Sequence, residues 1–271
     1  MKFTFLILMM LLLVSCGEAR RSSGKKKATL TQDQIQEIMD HQILTCAGIG
    51  GHPCPAGVSR LLTLDQLSAD DSYVCSGFMV GPNTLVTNHH CISTIEQCRN
   101  TYIAIYDGSS YLQTRCKSII ESQEDYADEN DPHRKIDFAV IETVDSYFGT
   151  TFELSPSQAQ VGDTITAWVV DHIGLDRPLA SEQNPYEARI TEFSCKVMNQ
   201  TDSDSLVLET CPIIYGNSGS PILNSLGQVV GVIWGATEAG VNSNMDLALR
   251  RSLSGLGIAT ETIYFKDYVS L

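Results

Sequence analysis

Ser218 lies in Gly216-Asn217-Ser218-Gly219-Ser220-Pro221, between the apolar runs Pro212-Ile213-Ile214-Tyr215 and Ile222-Leu223. Glycines on both sides of a serine suit a tight turn that brings backbone N–H groups close to a bound atom. Such a turn can present the Ser218 hydroxyl while the amides of Gly216 and Ser218 aim at one point, the arrangement that stabilises the oxyanion of acyl transfer. An ordinary Gly-Ser loop has the same composition, so the turn alone does not decide. A serine needs a base to take its proton, and an imidazole base needs a carboxylate to set its tautomer. Both are available upstream, in Thr87-Asn88-His89-His90-Cys91 and in Asp137-Phe138-Ala139-Val140-Ile141. His90, Asp137 and Ser218 follow in that order, 47 and then 81 residues apart.

Other residues compete for these roles. Asp131 and Asp145 are alternative carboxylates, but only Asp137 opens an Asp-x-Ala-x-Ile run of strand character. His41, His133 and His172 have no motif around them. His89, His90 and Cys91 are a poor metal set, because adjacent residues on a strand point to opposite faces.

The three ordered motifs resemble those of the trypsin-like (chymotrypsin-fold) serine peptidases over roughly residues 58 to 262. Within them the chain is similar to the bacterial branch that includes glutamyl endopeptidases, where Gly-Asn-Ser-Gly-Ser-Pro replaces the Asp-bearing form of animal enzymes. Thr-Asn-His-His-Cys also resembles a family of bacterial dipeptidyl peptidases with the same catalytic fold, much longer chains with a large helical insertion that is absent here. The resemblance implies an all-β chain of two six-stranded antiparallel β-barrels with the site in the cleft between them. His90 and Asp137 would come from the first barrel and Ser218 from the second. It selects His90 over His89 as the base, since the residue directly before the cysteine matches the family position. The activity implied is a serine endopeptidase working through an acyl-enzyme, with the amides of Gly216 and Ser218 as the oxyanion hole and no metal or organic cofactor. The alternative is a non-catalytic, surface-anchored binding module on a protease fold.

Two positions depart from the family pattern. Asn217 stands where animal zymogen enzymes carry an Asp that pairs with a newly freed N-terminal amine, so that activation switch is not expected. Ile233 stands where many relatives carry a serine that supports the catalytic Asp. By the same resemblance the substrate pocket is walled by Ile213, Ile214 and Tyr215 and by Ile233, Trp234 and Gly235. Pro212 occupies the place of the acidic pocket base of trypsin, and no histidine of the glutamyl type occurs after His172. An unpaired buried cation is costly, so the expected cleavage is after Leu, Val, Ala or Met. With Ala236–Asn242, which continue the second wall, Glu238 is the one acid in these segments and could recruit a basic residue instead.

The strands that would position the site are legible as short runs rich in Val, Ile, Thr and aromatics: Ser76–Val80, Thr84–Thr87, Tyr102–Tyr106, Phe138–Glu142, Thr164–Val170, Ser205–Glu209 and Val229–Trp234. Glu121–Lys135 reads as an acidic, mobile loop, and Leu247–Leu256 as a short terminal helix. Thr31–Leu44 places Ile35, Ile38, Met39, Ile43 and Leu44 near helical spacing, with Thr31 or Asp33 able to cap.

The first residues read as an address. After Lys2, Phe3–Val14 is a 12-residue apolar run, too short to span a bilayer. Leu13-Val14-Ser15-Cys16 is similar to a bacterial lipobox, which implies residues 1–15 as a signal peptide and Cys16 as the lipidated N-terminus; an ordinary secretory signal is the alternative. Residues 16–57 then form a tether with a short helical segment, and 58–271 the peptidase domain. By the same resemblance, Gly17 in place of Asp at the second mature position implies the outer membrane of a two-membrane bacterium, with a periplasmic or secreted protein as the alternative. Arg20, Arg21 and Lys25–Lys27 make the tether basic. The chain as a whole carries a formal charge of −14, which repels phosphate and argues against nucleic acid as a partner. The expected partners are polypeptide substrates and a membrane reached through the N-terminal lipid.

Nine cysteines minus Cys16 leave eight, an even number suited to an exported protein. In animal relatives a bridge closes the loop that carries the histidine, which implies Cys75–Cys91. Proximity in sequence suggests Cys46–Cys54, Cys98–Cys116 and Cys195–Cys211, with other pairings open. A zinc site at Cys46, His52 and Cys54 competes with the first of these.

Overall fold

The computed structural model describes residues 33, 40, 43–47, 53–63, 73–126, 135–172, 187–200, 205–238 and 254–269. Six strands close the first barrel: β2 (Val58–Thr63), β3 (Tyr73–Met79), β4 (Thr84–Thr87), β5 (Thr101–Tyr106), β6 (Tyr111–Tyr126) and β7 (Lys135–Thr143). Their order around the barrel is β2-β3-β4-β7-β6-β5, and every pairing is antiparallel. The second barrel contains β8 (Thr164–His172), β9 (Glu187–Gln200), β10 (Ser205–Glu209), β11 (Pro221–Leu223), β12 (Val229–Glu238) and β13 (Ser254–Glu261). It runs β9-β10-β13-β12-β11-β8 and is closed by β8 against β9. A further strand, β1 (Ile43–Cys46), adds to β9 in parallel.

Three apolar clusters hold this architecture. Leu61, Met79, Leu85, Ile103, Ile105 and Ile141 fill the first barrel. Ile165, Val169, Leu206, Leu208, Ile222 and Ile233 fill the second. Phe78, Phe138, Phe152, Trp168, Val232 and Phe265 form a cluster shared by strands of both. Burying side chains of this size contributes roughly 1.5–3 kcal/mol each. The chain end seals the shared cluster: α2 (Lys266–Val269) follows Phe265, and Phe138 packs on Phe265 and Tyr268 with ring centroids 5.7 and 6.1 Å away.

Four disulfides are present, Cys46–Cys54, Cys75–Cys91, Cys98–Cys116 and Cys195–Cys211. Cys98 lies on α1 (Ile95–Arg99), which Thr94 and Gln97 start with a reciprocal capping box. The β5–β6 hairpin is tied by Asp107, whose carboxylate accepts from the amides of Ser110 and Ser109. Those bonds hold its pKa down to about 2.

Several expectations need correction. Ile43 and Leu44, assigned to a helix, belong to β1, where pairing with Glu187 and Ala188 outweighs helical periodicity. Asp33 and Asp40 are helical, and the rest of that segment lies outside the described residues, as do Cys16 and His52. Residues 121–126 continue β6 and Lys135 begins β7, so those parts of the expected loop are strand, and 127–134 lie outside the described residues. Ser254, Gly255 and Leu256 are strand, not helix, because β13 extends along β12 as far as the Ser254–Glu238 pair.

Candidate active site

His90 sits in the turn after β4. The amides of Cys91 and Ile92 both reach back to the Asn88 carbonyl, and the Cys75–Cys91 bridge ties the turn to β3. Asp137 lies on β7, fully buried, while the His90 side chain remains 28% exposed. The carboxylate holds the histidine at two points. His90 Nδ1 lies 2.6 Å from Asp137 Oδ2, and the His90 amide donates to Oδ1 at 3.3 Å. An ionised carboxylate only accepts, so Nδ1 carries the proton and Nε2 is left as the basic nitrogen. The aspartate is fixed in turn through its backbone. Its amide donates to Thr260 Oγ1 at 2.9 Å, and its carbonyl accepts Asn88 Nδ2 at 2.7 Å. Thr260 belongs to β13, so the second barrel helps set an acid carried by the first.

Ser218 occupies the turn before β11. Gly216 and Gly219 have φ of 91° and 90°, a region that favours glycine. A Cβ on Gly219 would collide with the Ser76 carbonyl, so the turn must lie directly on β3. Hydrogen bonds from both barrels build it. Asn217 N–H reaches Ile214 O, Ser220 N–H reaches Asn217 O, Gly219 N–H reaches Ile233 O, and Ser76 N–H reaches Ser218 O at 2.6 Å. Another runs from Ser76 Oγ to Gly216 O at 3.0 Å. The Ser218 hydroxyl donates to the Trp234 carbonyl at 3.4 Å. Trp234 is the residue over which the β12–β13 register shifts, between Ile233 and Gly235. A bulge of this kind re-aims backbone groups next to a site.

The two halves meet at β3. Cys75 Sγ, Cys91 Sγ and a ring nitrogen of His90 lie within 4.8 Å of one another, and Ser76, the next residue, binds the serine turn. These sulfurs are joined in a disulfide and so do not offer thiolate to a metal. His89 turns the other way. Its Nδ1 lies 2.9 Å from Ser122 Oγ and its Nε2 3.6 Å from Glu124 on β6. Asp145 is bonded to Thr114 in the first barrel.

Of the residues expected to wall a substrate pocket, Ile213, Ile214 and Ile233 are buried, Trp234 and Gly235 half-buried, and Tyr215 54% exposed. Ile213 belongs to the core of the second barrel, and a Cβ on Gly257 would stand 3.2 Å from its Cγ1. A Cβ on Gly235 would meet nothing within 4 Å among the described residues. The Glu238 backbone pairs with Ser254 at the end of β12, and 239–253 lie outside the described residues. Sequence reasoning missed Ser76, Asn88 and Thr260. Asn88 had a signal, its place in Thr-Asn-His-His-Cys; the other two act through backbone contacts that leave no local pattern.

The trypsin-like peptidase domain family matches residues 75–232, more than half of the chain. The chain belongs to this family. No curated protein matches it. Among solved structures it is similar to a Glu endopeptidase in complex with MPD, at 18% identity over 80% of this chain and 90% of that one, with a TM-score of 0.53. It is similar to the scabies mite inactivated protease paralogue S-D1, at 14% identity over 79% and 91%, with a TM-score of 0.53. It is also similar to the serine endoprotease from Yersinia pestis, at 15% identity over 80% and 64%, with a TM-score of 0.50. At these identities the likeness is one of fold, the two closed six-stranded barrels described above. One of the three is an inactivated paralogue, so the fold by itself does not carry the activity.

Proposed function

We propose that this trypsin-like peptidase is a serine endopeptidase with Ser218 as nucleophile, His90 as base and Asp137 as the carboxylate that orients the base. The observation that carries the reading is the two-point hold of buried Asp137 on His90, at Nδ1 and at the backbone amide. It leaves Nε2 to accept the Ser218 proton as the oxygen attacks a peptide carbonyl. Asp137 stabilises the imidazolium that results. The amides of Gly216 and Ser218 hold the oxyanion, His90 protonates the leaving amine, and water then releases the acyl group by the same route. Among described residues the Ser218 amide donates to no other acceptor, which suits that role.

Gly-Asn-Ser-Gly-Ser-Pro supports a place near the bacterial glutamyl branch, with a different pocket. Ile213, Ile214, Ile233 and Trp234 favour an apolar wall and cleavage after uncharged residues. We propose further that Cys16 is the lipidated N-terminus and that the domain is held at the bacterial outer membrane. The test of the activity is a fluorophosphonate probe. Labelling of the wild type and not of Ser218→Ala supports the enzyme, whereas an unlabelled wild type supports a binding module.

A further inference from the structure

Beyond its place in the β2–β3 ladder, Ser76 makes three hydrogen bonds among the described residues, and each leads toward the site. Its amide donates to Ser218 O at 2.6 Å, its hydroxyl donates to Gly216 O at 3.0 Å, and its carbonyl accepts Thr87 Oγ1 at 2.7 Å. Ser76 and Thr87 are both fully buried. Thr87 ends β4, directly before Asn88, His89 and His90. Gly219 is packed so closely on this pair that a Cβ there would strike both Ser76 O and Thr87 Oγ1. One residue of the first barrel therefore sets the serine turn of the second against the strand end that delivers the base.

We infer that the Ser76 hydroxyl is a positioning group for the oxyanion hole, acting through the Gly216–Asn217 peptide. The inference rests on the reading of the Gly216 and Ser218 amides as the donors to the oxyanion. The Gly216–Asn217 peptide is gripped at both ends: its N–H by Ile214 O at 3.1 Å, its C=O by Ser76 Oγ. Gly216 lies at φ 91°, and glycine has no Cβ to resist rotation about φ or ψ. Rotation there swings the preceding N–H, the one that would face the oxyanion. The hydroxyl supplies the constraint that a side chain on Gly216 cannot. Nothing in the arrangement lets Ser76 touch substrate, since its side chain is spent on a carbonyl within the turn. Its contribution is to geometry that matters most when charge develops on the substrate oxygen.

The test compares wild type, Ser76→Ala and Ser76→Cys, the last keeping the volume with a weaker donor. For each, kcat and KM are measured on one peptide substrate. Binding is measured for a peptide aldehyde, which forms a tetrahedral adduct, and for the matching alcohol, which does not. Loss of one hydrogen bond of ordinary strength predicts that Ser76→Ala lowers kcat about tenfold, with KM within about twofold. Aldehyde affinity falls in proportion to kcat, alcohol affinity stays level, and Ser76→Cys lies between. Unchanged kcat and aldehyde affinity in Ser76→Ala overturn the inference. So does a parallel loss of aldehyde affinity, alcohol affinity and melting temperature, which marks a merely structural role. If Ser76→Ala does not fold, the same comparisons on Ser76→Cys decide. A wild type that turns over no peptide and forms no aldehyde adduct contradicts the peptidase reading instead, and the inference falls with it.

Discussion

Asn217 Nδ2 meets Asp171 Oδ1 at 3.4 Å, between two side chains that are both buried. The same amide donates to Val170 O at 2.9 Å, and Asn217 Oδ1 accepts from Ile214 N–H at 3.0 Å. Asp171 is held from its other side by Thr191 Oγ1 at 2.8 Å. The residue before Ser218 is thus anchored within the second barrel by groups already in the chain. Asn217→Ala should lower the melting temperature by several degrees, since several buried hydrogen bonds go at once and each is worth about 1 kcal/mol net. Asn217→Asp should be worse than Asn217→Ala, because it sets a second carboxylate beside buried Asp171. Thermal unfolding of the three proteins side by side checks the order.

The Cys75–Cys91 bridge closes the segment that contains β4 and His90. Replacing both cysteines with alanine should cost roughly 3 kcal/mol in the chain-entropy picture for a loop of this length. Activity should fall further than stability alone explains, because the His90 turn loses its tie to β3. Peptide mapping without reduction should return Cys75 joined to Cys91. Denaturant unfolding and residual hydrolysis, measured on the same samples, separate the two effects.

Ile213 packing toward Gly257 predicts a shallow apolar pocket. A peptide library read by mass spectrometry should show cleavage after Leu, Val, Ala or Met. Ile213→Ala should shift the preference toward larger side chains by opening space above Gly257. Dominant cleavage after Arg or Lys that disappears in Glu238→Gln would put Glu238 in the pocket and refute the apolar reading.

Much of the fold was open to reading where strands are apolar on both faces or bounded by turn residues. Thr84–Thr87 and Ser205–Glu209 match β4 and β10 end to end. β6 was missed because Arg115, Lys117, Glu121 and Glu124 break its apolar pattern, and its pairing with β7 outweighs weak strand propensity. β2 was missed because Arg60 interrupts it, although the folded barrel buries that side chain fully. The His90, Asp137 and Ser218 motifs were visible because each needs particular neighbours in sequence. Ser76, Thr260 and Asp171 were not, because each acts on backbone or on a partner far along the chain. Contacts of that kind are fixed by topology and have no local signature.

Lipid attachment is tested by intact mass of detergent-extracted protein, which should give a mature chain that begins at acylated Cys16. Cys16→Ser should release the domain from the membrane fraction or block its maturation. A wild type exported in soluble form with a mature N-terminus beyond Cys16 would refute the anchor.

Hydrolysis by Ser218→Ala, His90→Ala and His89→Ala, measured against wild type on one peptide substrate, bears most directly on the proposed mechanism. Ser218→Ala and His90→Ala should each lose nearly all activity while keeping the wild-type circular dichroism spectrum, since members of a triad act as a unit. His89→Ala should keep substantial activity, because its ring is engaged with Ser122 and Glu124 and not with Asp137. An inactive His89→Ala beside an active His90→Ala, or an active Ser218→Ala, would contradict the account.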